Sequence, residues 1–432
     1  MVTVKQIKRT YYWAISLFWL ATALPIALQV LLLQARGFTL FQLGIGMAVY
    51  SLTIVLLEVP TGGLADAVGR KRVALIAYTL MAITSAALLA AFTFPTLIVG
   101  FILYGAGRAL ASGALDAWFV DALQAVDADV ALQPAFAKAG TFTLLALGIG
   151  ALLGSAVPRL FHNLPAEGTA VLTPLSMPIL IAFFCQLILI LYVAVAVKES
   201  RPDSASTNWR KGFQDVPVLV KDAFQLSRQN RIILLLLGAA LGGGLAGIIV
   251  ETFWQPQLSA VLAGSTENTI LFGIVMAGSF LVGMAGNLLS TPLSHLLNHR
   301  YALVGALTRG LQGICLILLA RQTAVPLFTL FFWLVYLNMG IIDSPHNTLV
   351  NNEIPAERRS AMLSVQSLAG YVGSMIGSIG LGYLAQQASI PSAWIVAGVV
   401  LMLSLLLYLR VDRLQFRQAR HHDAESSILE TG

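Results

Sequence analysis

Six charged residues and one histidine stand inside stretches that are otherwise apolar. Glu58, Asp116, Glu251 and Asp343 bring carboxylates, Arg108 and Arg309 bring guanidiniums, and His346 follows Asp343 by three residues; Glu251, near the outer end of its span, reads equally as an interfacial charge. A charge near the centre of an apolar helix costs about 2.5–3.5 kcal/mol on insertion scales, so such residues face a protein interior or a wet cavity and mark paths for ions, protons or solutes. Four acids against two guanidiniums leave that interior net negative, which favours a cation or a proton. A spacing of three puts Asp343 and His346 on one helical face, where an imidazole and a carboxylate can pass a proton near neutral pH, but a hydrogen-bonded structural histidine near the cytoplasmic interface is the favoured reading of His346. Around an unbroken helix Asp116 lies about 80° from Arg108, while Asp121 lies about 140° from both. Arg108 and Asp116 are therefore expected on one cavity-facing side, with Asp116 exchanging protons and Arg108 tuning it. Cys185 and Cys315 fall in apolar runs with no disulfide or metal spacing, so neither a metal nor a cofactor is expected. No cluster of His, Cys and Ser at one depth points to an enzyme.

These residues need apolar helices to hold them. The chain has 432 residues, of which 57% are hydrophobic and 11% charged. A soluble domain carries roughly 25% charged residues, so a soluble enzyme is excluded. A membrane-spanning helix needs about 20 apolar residues. Apolar runs and their polar breaks give twelve spans, at 11–34, 41–66, 73–93, 96–123, 140–160 and 175–197, then 232–256, 269–293, 301–320, 325–350, 360–386 and 391–410. The first run is longer than a signal-peptide core of about 7–15 residues, so it reads as an uncleaved first span. The expected fold is all-α, with two six-helix bundles at 1–197 and 232–410, a linker at 198–231 and a tail at 411–432. Val216 to Leu226 of the linker has the pattern of a short interfacial helix or of a plain solvated connector.

The net charge of +6 is explained by topology rather than by nucleic acid. With the N-terminus inside, Lys5, Lys8, Arg9, Arg70, Lys71, Arg72, Lys138, the linker, Arg300, Arg358, Arg359 and the tail all fall inside. Outside are Arg36, Arg159 and Arg321. The positive-inside rule then makes both termini cytoplasmic. The halves echo each other at an offset of 229, where Thr61-Gly62-Gly63-Leu64-Ala65-Asp66 before Arg70 is matched by Ser290-Thr291-Pro292-Leu293-Ser294-His295 before His299-Arg300. Such repeats build many transporters.

Span two ends in Gly62-Gly63-Leu64-Ala65-Asp66-Ala67-Val68-Gly69-Arg70-Lys71-Arg72. This resembles the signature loop of the major facilitator superfamily, G-x-L-a-D-r-x-G-r-k, and lies where that family carries it. The resemblance spans the chain. It implies that Asp66, Arg70 and Asp121 form a cytoplasmic latch, set against span eleven. It also carries over Arg108 from the family's span-four motif, although Ser112 stands where the family has glycine. Span five has Gly150, Gly154 and Pro158 but lacks the Gly-Pro pair usual in the family's drug antiporters.

Spans seven and eleven are rich in glycine, which permits close helix contact or sliding. The aromatics expected at the cavity are Trp19, Tyr50, Trp118, Phe253, Trp254, Phe332 and Trp333, a set suited to a lipophilic solute. No Walker-type phosphate loop occurs, so an ion gradient is the expected energy source. The expectation is a monomeric secondary transporter in the cell membrane, exporting a small lipophilic solute against protons. A metabolite symporter or facilitator is the alternative, with Asn338 and Asn347 as polar candidates. A non-transporting receptor or scaffold is disfavoured by the short loops.

Overall fold

A computed structural model describes residues 3–199, 230–263, 268–354 and 359–431, with side chains at all of these except 59–67, 359–363 and 419–431. Its helices in chain order are α1 (Val4–Ala23), α2 (Gln29–Ala35), α3 (Leu40–Val68), α4 (Arg70–Leu89), α5 (Phe94–Ala111), α6 (Ala114–Gln124), α7 (Leu132–Leu160), α8 (Met177–Ala196), α9 (Arg231–Val261), α10 (Thr269–Leu296), α11 (Tyr301–Leu319), α12 (Val325–Asn352), α13 (Arg359–Gln387) and α14 (Ile390–Thr431). Among the described residues, eleven helical units are long and apolar enough to cross a membrane. The twelfth crossing is α1 with α2. The segment 216–226 lies outside the described residues. The last helix continues past the apolar run because 411–431 contains neither Pro nor Gly.

Two spans expected to be continuous are broken. Span one breaks at Pro25, which lacks an N–H and clashes with the preceding turn. The buried Gln255 of α9 repairs the damage. Its Oε1 accepts from Val30 N–H at 2.9 Å and its Nε2 donates to the Ile26 carbonyl at 2.6 Å. In an intact helix those two backbone groups would bond to each other, so the carboxamide sits inside the opened ladder. Span four breaks at Ser112-Gly113, where Gly113 adopts φ +79°, a left-handed conformation that glycine enters without a Cβ penalty.

The two bundles meet along two seams, α3 against α13 and α7 against α10. Three apolar cores divide the molecule by depth. The largest draws buried residues from both bundles, including Leu32, Phe101 and Ala151 with Trp254, Phe272 and Phe332. It lies in the half opposite the chain ends, here the distal half. Toward the face that carries both chain ends, the terminal face, each bundle has its own core: one around Tyr11, Trp118 and Phe119, the other around Ile233, Leu349 and Tyr408. Among the described residues, apolar packing thus joins the bundles distally and separates toward the terminal face.

Small residues make the distal seams possible. A Cβ on Gly44 would strike the Ser378 carbonyl, and one on Gly273 would strike Ser155. Arg159 adds a bond to Asn268 at 2.6 Å, and Gln386 accepts from Leu40 N–H at 3.0 Å. The glycines of α13 serve mainly its own bundle, since Gly373 and Gly377 abut Leu241 and Leu245 of α9.

Candidate functional site

Arg108 ends α5 beside the break and sits at mid-depth. Its guanidinium lies within hydrogen-bonding reach of the Tyr50 hydroxyl and near those of Tyr104 and Tyr371. It also stands 5.2 Å over the Trp19 ring and 6.0 Å from that of Phe18. Tyr50 and Tyr104 stack at 4.7 Å. Four helices, α1, α3, α5 and α13, therefore build one aromatic box around a single cation. Arg108 and Tyr50 give it donors, and the ring faces give it stacking surface.

Glu251 of α9 is exposed by surface area yet sits deep among Tyr104, Tyr336 and Tyr371. Exposure at such depth means that it lines an internal cavity and is not an interfacial charge. Glu58 of α3 reaches across the seam. Ser367 of α13 donates to its two carboxylate oxygens at 2.8 and 3.1 Å.

Ser367 also lines a second cavity, of about 400 Å³, with Arg309, Asp343, His346, Asn347 and Gln366. Gln366 donates to Asn347 at 3.0 Å, and Arg309 to Gln312 at 2.7 Å. The Arg309 guanidinium lies over Gly243 of α9, where any Cβ would collide with it. Asp343 is exposed to this cavity and feels Arg309 electrostatically. The residues Gln366 to Tyr371 thus form a shared wall. Gln366, Ser367 and Gly370 face the second cavity, while Tyr371 faces the Arg108 box.

Several expectations are corrected. Arg108 and Asp116 do not share a face, because the break at Gly113 destroys the 100° count between them. Asp116 instead accepts from the Tyr11 hydroxyl at 2.6 Å, in the bundle's own core, and makes no ion pair with Arg108 among the described residues. His346 pairs with Tyr408 at 2.7 Å and not with Asp343, which matches its reading as a hydrogen-bonded structural histidine and leaves the relay without its pair. Its Nδ1 edge turns to Tyr408 of α14 while the residue still borders the cavity, to which Asp343 is more fully exposed. Trp19 and Tyr50 line the box as expected. Phe253, Trp254 and Phe332 are buried in the distal core, and Trp118 is packed with its Nε1 donating to Lys198 O at 3.0 Å. Trp333 is tied to the Val275 carbonyl at 2.9 Å. Buried Asn338 bonds back to Leu334 O of its own helix.

At the terminal face Arg70 pairs with Asp121 at 2.7 Å. The contacts of Gly62, Gly63 and the Asp66 side chain lie outside the described residues. Gly69 takes φ +102° to start α4, and there Glu199 accepts from Arg70 N–H at 2.7 Å and Lys71 N–H at 3.2 Å. A carboxylate at a helix N-terminus satisfies orphan N–H groups and meets the positive end of the dipole. Lys71 Nζ reaches Ala194 O at 2.7 Å. These contacts tie α4, α6 and α8 within one bundle. The weak second copy of the motif also closes: Arg300 donates twice to Asp412 of α14, at 3.1 and 2.5 Å, which raises the pKa of its guanidinium.

Sequence reasoning missed Tyr104, Tyr371, Tyr336, Ser367, Gln366, Gln255 and Glu199. A signal existed for two of them. Tyr104 precedes Arg108 by one turn, and Ser367 precedes Tyr371 by the same interval.

The sequence profile described as Major Facilitator Superfamily matches residues 12–308 and 268–430. A Bacillus subtilis (strain 168) protein described as the uncharacterized MFS-type transporter YxaM is 20% identical over 398 residues, covering 92% of this chain and 94% of its own. Among solved structures, the nucleoside transporter NupG superposes with a TM-score of 0.73 at 16% identity, over 95% of this chain and 99% of that one. A POT family transporter in complex with a thioalcohol-conjugated peptide superposes at 0.68, with 14% identity over 93% and 95%.

Proposed function

The chain belongs to the major facilitator superfamily, and we propose that it is a proton-coupled symporter taking up a small polar metabolite that carries an aromatic ring. It is a multi-pass membrane transporter by family; solute, ion and direction are the proposal. One observation carries it. The aromatic box around Arg108 and the carboxylates of Glu58 and Asp343 are distinct groups, joined through α13, while Glu251 borders the box at Tyr104 and Tyr371. Solute and proton can therefore be held together. Antiport by direct competition needs one group that both ligands claim. Simultaneous occupation with an inward proton gradient gives uptake.

The lining favours a polar solute over the lipophilic one expected from sequence. Tyrosine hydroxyls and a guanidinium must be satisfied when water leaves the box, and a purely apolar guest would leave them unpaired. The likeness of fold to a nucleoside transporter is in keeping with a ring bearing hydroxyls. The excess of Lys and Arg supports a cytoplasmic terminal face in the cell membrane. The distally joined cores then correspond to a state open to the cytoplasm, the partner state following from rocking one bundle against the other. The proposed cycle calls only on the two bundles of one chain, in keeping with a monomer.

The test is transport by protein reconstituted in liposomes, with radiolabelled uridine as the first probe. Acid outside should drive accumulation. Glu58→Gln should abolish accumulation while leaving solute exchange at equal pH. Arg108→Ala should abolish both. Accumulation independent of the gradient, or expulsion of a lipophilic cation with no uptake of polar ring compounds, defeats the reading.

A further inference from the structure

Outside the central site, a groove of about 850 Å³ lies between the terminal ends of α1 and α7. Lys5, Lys8 and Arg9 approach it from α1, and Lys138 from α7. Beneath them lie Tyr12, Trp13 and Phe142. Lys138 Nζ stands 5.8 Å over the Tyr12 ring, and Tyr12 packs on Phe142 at 5.2 Å. Trp13 is 59% exposed. No carboxylate lines the groove among the described residues.

The vertical order is the informative feature. On both helices the cations come first from the terminal face, and the aromatics follow one turn deeper. Topogenic charge needs only a count of Lys and Arg near the membrane. It does not need cations from helices about 130 residues apart to converge over a shared aromatic floor. A rim of cations above an apolar trough matches a molecule whose anionic head sits at the membrane surface and whose apolar body points inward.

We infer that this groove is a binding site for an anionic phospholipid of the inner leaflet. The phosphate would lie among Lys5, Lys8, Arg9 and Lys138, and the upper acyl chain along Trp13 and Phe142. Bilayer lipid is favoured over a dissolved amphiphile because the groove occupies the first turns of both helices, at headgroup depth. Basic residues at that level each attract anionic lipid by about 1 kcal/mol, or roughly fivefold. Bound lipid would brace α1 on α7. This does not depend on the solute assigned to the Arg108 box.

The experiment uses the full chain in nanodiscs containing brominated phosphatidylglycerol or brominated phosphatidylcholine at equal mole fraction. Trp13 quenching is isolated by subtracting the signal of Trp13→Phe. The anionic lipid should quench with a relative affinity at least about fivefold higher. That preference should shrink as salt shortens the Debye length from about 30 Å to about 3 Å. It should vanish in a Lys5→Gln, Lys8→Gln, Lys138→Gln variant, and fall in Lys138→Gln alone if the triple variant folds poorly. Equal quenching by both lipids overturns the site. So does relief of quenching by a dissolved alkyl phosphate below its micellar concentration, which assigns the groove to an aqueous solute. Neither outcome bears on uridine uptake, so the two proposals fail separately.

Discussion

Replacing Gln255 with Leu should move the protein between the two access states proposed above without unfolding it. The side chain is 3% exposed and forms two hydrogen bonds across the distal boundary, to Val30 N–H at 2.9 Å and the Ile26 carbonyl at 2.6 Å. Each such bond contributes about 0.5–1.5 kcal/mol net. Together they favour the distally closed state by about 1–3 kcal/mol, or roughly 5- to 150-fold in the ratio of states. Leu keeps most of the volume and removes both bonds. In the proposed distally open state α9 would part from α2, so nothing comparable would be lost there, and the freed Val30 and Ile26 groups would bond directly. The equilibrium should therefore shift toward distal opening. Pulsed spin-label distances between Thr93 and Thr323, in a background with Cys185 and Cys315 replaced by Ser, should gain a longer population. An unchanged distance distribution, or a shift toward the shorter one, would show that the carboxamide repairs span one without holding the bundles together.

Two further predictions concern local structure. Gly113→Ala should cost about 1–2 kcal/mol, because φ +79° forces the new Cβ against the following carbonyl; thermal unfolding in detergent reads this, and no loss of stability means the break relaxes. Glu199→Ala should destabilise the protein more than Asp121→Asn. Glu199 caps two N–H groups of α4 at about 1 kcal/mol, whereas Asp121 is 59% exposed and its pair with Arg70 is worth about 0–1 kcal/mol; the reverse order in denaturation midpoints would refute the capping argument.

Helix number and kind were legible because the bilayer imposes a length and a composition that no other environment demands. The ion pair between Arg70 and Asp121 was legible through the family loop. The partner of Asp116 was not. Its reading extrapolated helical phase from Arg108 to Asp116, and one glycine in a left-handed conformation resets that phase. Phe253, Trp254 and Phe332 were misjudged because an aromatic in an apolar run carries no mark of which neighbour it meets. Glu251 was ambiguous for the opposite reason: a carboxylate late in a span is costly in either setting, and only depth among Tyr104, Tyr336 and Tyr371 separates cavity from interface.

By itself, the sequence determined what must be true of each segment alone. It set which runs are apolar enough to cross a membrane and which residues are too polar to face lipid. It also located the loop that carries the family signature. Tertiary structure alone decided which of those polar residues meet. Arg108 is surrounded by aromatic rings from three other helices, Glu58 bonds to a serine 309 residues away, and Gln255 completes a helix 225 residues before it. Apolar periodicity specifies that a face must be covered, but not by what. The partner is chosen when twelve helices pack at once, and the polar groups left over are paired by whatever that packing brings within 3 Å or so of them.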